Sequence, residues 1–405
     1  MGAIYPAGDG ILIHFHGKDQ NDMKNAYLFC HHTVPYEHPN AVRLLNTALI
    51  LQEIGYDVSL FGYDFEEEIM VKHRGVRCTK WQITRGKGIA RQHLRSQDII
   101  RHFIKVLKNA PDIIMSCIPG YTEEYSYLKG WAKENNVPFI QNLCEWYSYC
   151  NFRGKFKVFR YARNEWLMRF TYTKVKNIVG ISTMLTDYYE KRGANTLTVP
   201  TLVDLEEYVN LKHQISMRLC IAYAGKPAAK DLLANVIFAI GRLSEQEMSK
   251  LEFHIYGATA EQLYKLGISQ ELLQRLSSAV HIHGYVPYKD VARCIADADF
   301  TILLRPNQRY AQAGFPTKVG ESLACGTPVI ANLTSDLKKY LVDGENSLIC
   351  WDDSVESCLV TLRRAIAIRK ETLQYMREKS YSTARTSFDY HAYTGRMQEF
   401  LAHLQ

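Results

Sequence analysis

Along almost the whole chain, short apolar runs alternate with stretches whose apolar residues fall at helical spacing. Asn25–Cys30 (NAYLFC) predicts a first strand. In Ala41–Ile54, residues Val42, Leu45, Ala48, Leu49, Leu51 and Ile54 line one helical face, and Gly55 ends the helix. Asp57–Phe61 predicts a second strand and Ser96–Leu107 an amphipathic helix. Further strands are expected at Asp112–Cys117, Pro138–Leu143 and Ile178–Ile181, with helices at Glu123–Glu134 and from Ser182. The pattern pauses near Pro200 and restarts after Ser216. Strands then follow at Arg218–Ala224, Leu251–Gly257, Val280–Gly284, Asp299–Leu304 and Pro328–Ala331. Helices are expected at Leu232–Leu243, Glu261–Ser277, Val291–Ala296 and Val319–Cys325, and a last amphipathic one at Phe388–Leu401. Strand–helix alternation of this kind implies parallel sheets covered on both faces. The pause divides it into two α/β, Rossmann-like doubly wound domains, residues 1–205 and 206–385, with ligands at the carboxyl ends of the strands in the cleft between them.

Composition changes this picture little. A chain of 405 residues, 47% hydrophobic and 22% charged, is long enough for two cores. The expectations are a cytoplasmic protein without a secretory signal or a membrane-spanning run. Its ten cysteines are scattered, with no metal-binding spacing. Charge is more informative. Residues 1–204 carry 26 Lys and Arg against 20 Asp and Glu, whereas the remainder is nearly balanced. Eleven basic residues and one acid, Asp98, lie between Lys72 and Lys108. Eight basic residues and one acid, Glu165, lie between Arg153 and Lys176. Aromatic and aliphatic residues are interleaved in both. The readings open here are an anionic membrane surface and a solvated helix face; no nucleic-acid motif accompanies the charge, and nucleic acid is not expected as a partner.

The densest chemical signal is Gly314–Asn332 (GFPTKVGESLACGTPVIAN). Gly314 would permit an unusual turn, and Pro316 suits a first helical turn. The helix start then offers the free N–H groups of Thr317 and Lys318 to an anion, and Lys318 adds a positive charge. Glu321 lies five residues beyond Pro316, roughly 7.5 Å along the axis. One ligand could place phosphates at the helix tip and a ribose against that carboxylate. Taken singly, each of these residues fits an ordinary capped helix of a βαβ connection.

In combination they resemble the GT-B glycosyltransferases of retaining family 4, on Glu321, Ala324, Gly326, Pro328 and Val329. Ala224-Gly225-Lys226-Pro227 with Lys230-Asp231, Ile255-Tyr256-Gly257, Val280–Val286 and Leu304-Arg305-Pro306 follow in the family's order. The resemblance implies a nucleotide-sugar donor. Lys230, Lys318 and Arg305 would face its diphosphate and Gly225 and Lys226 the phosphate turn. Tyr285, Val286 and Pro287 would lie at the base, and the Gly314-Phe315-Pro316-Thr317 turn and Glu321 at the ribose side. It implies metal-independent transfer, because the basic helix end takes the place of a divalent cation, and no cofactor. It also implies a glycan or lipid-linked acceptor in capsule, exopolysaccharide or lipopolysaccharide assembly, and a last helix, 386–405, that returns to the first domain. The family's usual first glutamate is replaced by Ala313, which leaves the sugar's identity and orientation open.

In the first half, the loop Cys30–Asn40 carries three histidines and is expected in the cleft wall, with a surface loop carrying incidental histidines as the alternative. Gln141–Cys150 follows a strand and points to the cleft. There Glu145 is the candidate contact or proton acceptor for the acceptor hydroxyl, and Trp146 and Tyr147 are candidate sugar-stacking rings; an ordinary loop carboxylate is the alternative for Glu145. Rival functions are a nucleotide-sugar epimerase and a transfer-inactive nucleotide-sugar-binding partner protein.

Overall fold

A computed structural model describes residues 23–405, except Glu37, Glu67, 85–88, Asn210, Lys212, Gln214, Ile215 and 228–229. The first domain runs β1 (Lys24–Phe29), α1 (Pro39–Glu53), β2 (Tyr56–Asp64), β3 (Ile69–His73), β4 (Val76–Gln82), α2 (Ile89–Val106), β5 (Ile113–Ser116), α3 (Glu123–Glu134), β6 (Phe139–Leu143), α4 (Lys157–Trp166), β7 (Asn177–Gly180), α5 (Thr183–Glu190) and β8 (Asn195–Thr198). Its sheet has the order β3-β4-β2-β1-β5-β6-β7-β8, parallel except for the β3–β4 pair. Strands β5 and β7 are buried at every position, as expected of parallel strands covered on both faces. The β3–β4 hairpin is absent from the sequence-based assignment. It turns on Arg74 (φ +46°) and Gly75 (φ +96°), a left-handed pair without the usual Asn-Gly signal.

The second domain continues with β9 (Leu219–Ala224), α6 (Leu233–Ile240), α7 (Glu245–Met248), β10 (Leu251–Tyr256), α8 (Ala260–Tyr264), α9 (Gln270–Arg275), β11 (Val280–Gly284), α10 (Tyr288–Ala296), β12 (Phe300–Leu303), α11 (Arg309–Ala313), α12 (Thr317–Ala324), β13 (Val329–Asn332), β14 (Ser347–Cys350), α13 (Val355–Ile366), α14 (Lys370–Ser387) and α15 (Thr394–Ala402). The sheet is fully parallel, β11-β10-β9-β12-β13-β14. The single helix expected over Glu261–Ser277 is two short ones. Gly267, at φ +88°, breaks it, and the Ser269 side chain caps the second.

Two chain crossings join the domains. Val203 N–H donates to Phe388 O (2.8 Å) and Tyr390 N–H to Val203 O (3.1 Å), so the crossings are hydrogen-bonded to each other. Helix α15 packs against α1 and β8. The Asn195 side-chain amide donates to Phe400 O and His403 O, fixing the end of the chain to the first sheet. Helix α12 approaches the first crossing closely: a Cβ on Gly320 would lie 3.3 Å from Thr201 O. One apolar cluster includes first-domain residues such as Phe29 and Trp146 together with Leu303, Phe315 and Val319 of the second.

Candidate donor site at the domain cleft

The site is built where β9, β10 and β12 end and α12 begins. Gly225 ends β9 with φ +143°, and Gly257 ends β10 with φ +90°. The two turns touch, since a Cβ on Gly257 would fall 2.8 Å from Gly225 O. Side chains there would fill the space that the backbone leaves open. Lys318 occupies that opening. A Cβ on Gly225 would come within 2.5 Å of Lys318 Cε. The ammonium of Lys318 pairs with Asp231 and lies 4.0 Å from the centre of the Tyr223 ring, while Tyr223 Oη donates to the same carboxylate (2.8 Å). Helix α12 starts from Pro316 with no side-chain cap, so its first N–H groups are left to a ligand. The sequence reading placed Pro316 inside the first turn; it stands one residue before it.

Arg305 follows β12 and is only 5% exposed. Its main chain is clamped by Asn332, which accepts from Arg305 N–H (2.8 Å) and donates to Arg305 O (2.7 Å). Its guanidinium is less satisfied: Nε and Nη1 are buried without a hydrogen-bond partner. Burial pushes this guanidinium below its ordinary value, against the pull of Asp231 and Tyr310. Lys230 reaches across the cleft to Glu145 of the first domain and lies 5.4 Å from the Tyr147 ring centre. Burial and the Arg305 charge push its ammonium down to about 8, against Asp231. Lys230 and Lys318 are each paired with a carboxylate, whereas the Arg305 guanidinium beside them has no ion-pair partner among the described residues, which leaves an unbalanced buried cation facing the space where an anion would sit.

Glu321 is half-buried on the next turn of α12. Burial raises its carboxyl, and the neighbouring Lys318 opposes the shift. The histidine loop forms a wall beside Lys230: burial, then the Lys230 charge, lowers His38, whose ring stacks on His32 at 3.4 Å between centroids. Among the described residues, no three His, Cys, Asp or Glu side chains are grouped as a metal site.

Residues 212–383 match the family described as Glycosyl transferases group 1. Solved structures superpose over nearly the entire chain. Sucrose-phosphate synthase from Thermosynechococcus elongatus gives a TM-score of 0.73 at 13% identity, covering 94% of this chain and 98% of that one. HepE from Anabaena, in complex with UDP and glucose, gives 0.65 at 13%, covering 94% and 100%. The lipopolysaccharide outer core galactosyltransferase WaaB in its apo form gives 0.62 at 16%, covering 94% and 99%. No curated protein sequence matches. The fold is GT-B.

Within this GT-B frame several sequence-based assignments change. Gly314 has φ −87° and ψ 170°, a conformation open to any residue; its constraint is proximity, a Cβ being 3.2 Å from Tyr310 O and 3.6 Å from Cys144 O across the cleft. Phe315 is a core ring between Tyr340 and Phe388, so only its main chain could meet a donor. Trp146 does not face the cleft as a stacking platform. It is 3% exposed, packs edge-on against Tyr188 and donates to Glu165 (3.0 Å). Lys226 and Tyr285 are exposed and Val286 half-buried, at the rim rather than among the three cations. Ala313 is fully buried, and its carbonyl accepts from Ser182 Oγ of the first domain (2.6 Å).

Sequence reasoning also missed residues that join the GT-B halves. Arg309 forms an ion pair with Glu165 (2.5 Å) and donates to Tyr147 O (2.8 Å). Asp336 accepts from Thr183 N–H (2.7 Å) at the start of α5. Neither carries a local signal, because each depends on a partner more than a hundred residues away. Asp231, quoted as Lys230's neighbour, is the shared acceptor for Lys318 and Tyr223.

Proposed function

We propose that this protein is a retaining glycosyltransferase that moves a sugar from a nucleotide-diphosphate sugar to a glycan or lipid-linked acceptor in surface-polysaccharide assembly. The observation that carries the donor half is Arg305: a buried guanidinium with two unpartnered donors, beside Lys230, Lys318 and an uncapped helix start. Such a group is costly without an anion and well matched to a diphosphate.

In this reading the bond from the anomeric carbon to phosphate oxygen breaks, and its electron pair stays on the diphosphate. Lys318, Arg305, Lys230 and the α12 N–H groups stabilise that growing charge. Glu321 holds the ribose hydroxyls. Glu145, released from Lys230 when the diphosphate arrives, accepts a hydrogen bond from the acceptor hydroxyl and takes its proton as the hydroxyl oxygen forms the new bond to the anomeric carbon on the same face. Retention rests on the resemblance to the retaining family. UDP-sugars are the first donors to test, since HepE was solved with UDP-glucose. The cation cluster leads us to expect turnover that persists in EDTA.

Ala313 favours a second reading, a nucleotide-sugar-binding protein without transfer, because the buried alanine supplies no carboxylate to the sugar. A thermal-shift screen against UDP- and GDP-sugars, followed by product analysis with the selected donor, separates the two. Stabilisation and a product of retained anomeric configuration support transfer. Stabilisation with no hydrolysis and no product for any acceptor supports the binding protein, and no stabilisation by any nucleotide sugar defeats both.

A further inference from the structure

Helix α4 has no buried residue. Its outward face continues past the helix on both sides: Phe156 is 74% exposed, Phe159 66%, Trp166 63% and Phe170 51%. With Arg163 these follow at spacings of three and four residues, which sets them along one side. Large rings rarely stay in water as a continuous row without a partner. The opposite side of the same segment is anchored in the protein. Tyr161 and Glu165 are partly buried, and Leu167 and Met168 belong to the core.

The charges around the row distinguish it from the other basic stretch. On the β3–β4 hairpin and α2, Arg74 pairs with Asp204 and Glu206, Arg77 with Asp57, Lys80 with Asp64 and Arg101 with Asp98. Those four cations are paired within the domain, three of them on the hairpin. Around α4, Arg153, Lys155, Lys157, Arg160 and Arg163 have no carboxylate partner among the described residues. The one acid of the stretch, Glu165, turns inward to Trp146, Arg169 and Arg309. An aromatic row rimmed by unneutralised cations is complementary to a lipid surface carrying negative headgroups. Rings enter the acyl boundary and cations remain at the phosphates.

We infer that the Phe156–Phe170 face docks this protein on an anionic lipid surface. Given the proposed function, the inference identifies the membrane side of the acceptor. Through Glu165, the docked segment is held to Trp146 and Arg309, next to Glu145 and the cleft, so docking would turn the cleft's acceptor side toward the bilayer. The helix is too short and too charged to enter further; no helix among the described residues is long and apolar enough to cross a membrane.

The test is sedimentation of the full chain with phosphatidylcholine vesicles, with and without phosphatidylglycerol, at two salt concentrations. Binding should require the anionic lipid and weaken with salt. Phe156→Ser with Phe159→Ser should weaken partitioning by about tenfold per ring, and Lys155→Gln with Arg160→Gln by about fivefold per charge. Arg77→Gln on the paired stretch should change little. Both α4 variants should retain the parent's thermal shift with nucleotide sugars in vesicle-free buffer, which shows that they fold. Absence of vesicle binding, binding indifferent to anionic lipid, or binding undiminished in the α4 variants overturns the inference. So does concentration-dependent self-association abolished by the same serines, because a second copy would then cover the row. Vesicle binding by a protein that no nucleotide sugar stabilises would sink the proposed function and leave the docking face standing.

Discussion

Arg305→Met is expected to make the ligand-free protein more stable and the donor complex weaker. The substitution removes a guanidinium that is 5% exposed and whose Nε and Nη1 have no acceptor. Each buried, unpaired polar group costs about 1–3 kcal/mol. Methionine fills similar space without polar N–H groups. The contacts to Asn332 involve the Arg305 main chain and survive. Part of the gain is offset by the lost attraction to Asp231, so a net stabilisation of about 1–2 kcal/mol is reasonable. At about 2–4 °C per kcal/mol, the ligand-free melting temperature should rise by a few degrees. A diphosphate, in contrast, loses up to two charge-assisted hydrogen bonds. At about 1.5–3 kcal/mol each, affinity should fall at least tenfold. The assay is a melting curve with and without the best-binding nucleotide sugar, with affinity measured by calorimetry. A lowered ligand-free melting temperature combined with unchanged donor affinity would refute the reasoning, since Arg305 would then be a structural residue with satisfied partners.

Gly225→Ala should reduce donor affinity, because its φ of +143° is strained for alanine and the new methyl displaces Lys318 from Asp231; a cost of about 1–3 kcal/mol in stability is expected in denaturant unfolding. Donor affinity should decline as pH rises through about 8, where Lys230 loses its proton; Lys230→Met should bind weakly and flatten that dependence, and a profile identical to the parent's would count against Lys230 as a phosphate contact. The stability effect runs the other way. The folded Lys230 value lies below the unfolded lysine value of about 10.4, so ligand-free stability gains with pH between the two and bears the full burial cost below about 8. Glu165→Gln removes the carboxylate shared by Arg309, Arg169 and Trp146; about 1–3 kcal/mol should be lost from the unfolding free energy, and an unchanged denaturation midpoint would show that this contact does not hold the domains together.

The chain's periodicity is a local property, and it determined the fold class. Apolar runs of strand length and helices of 3.6-residue spacing place most of the core from their own neighbours, as β1, α1, β9 and β13 show. The start of α12 was legible for the same reason: Pro316, Thr317, Lys318 and Glu321 lie within one short segment, and a helix start carries its free N–H groups wherever it sits. The failures were also physical. The β3–β4 turn uses Arg74-Gly75, which has no distinctive composition. Trp146 was read as a cleft ring because its loop follows a strand, but side-chain direction in a loop is set by packing.

What only the tertiary structure decided is which distant residues share a charge environment. Lys230 and Glu145 are 85 positions apart, Lys318 and Asp231 87, and Arg309 and Glu165 144. Burial has the same origin: in the sequence Arg305 is a diphosphate contact only by resemblance, and it becomes an unsatisfied buried cation when β12, Asn332 and the cleft close around it. Periodicity therefore specifies the elements, because it acts over a few residues. The site's electrostatics depend on burial and on long-range pairing, and both come into being with the packed fold.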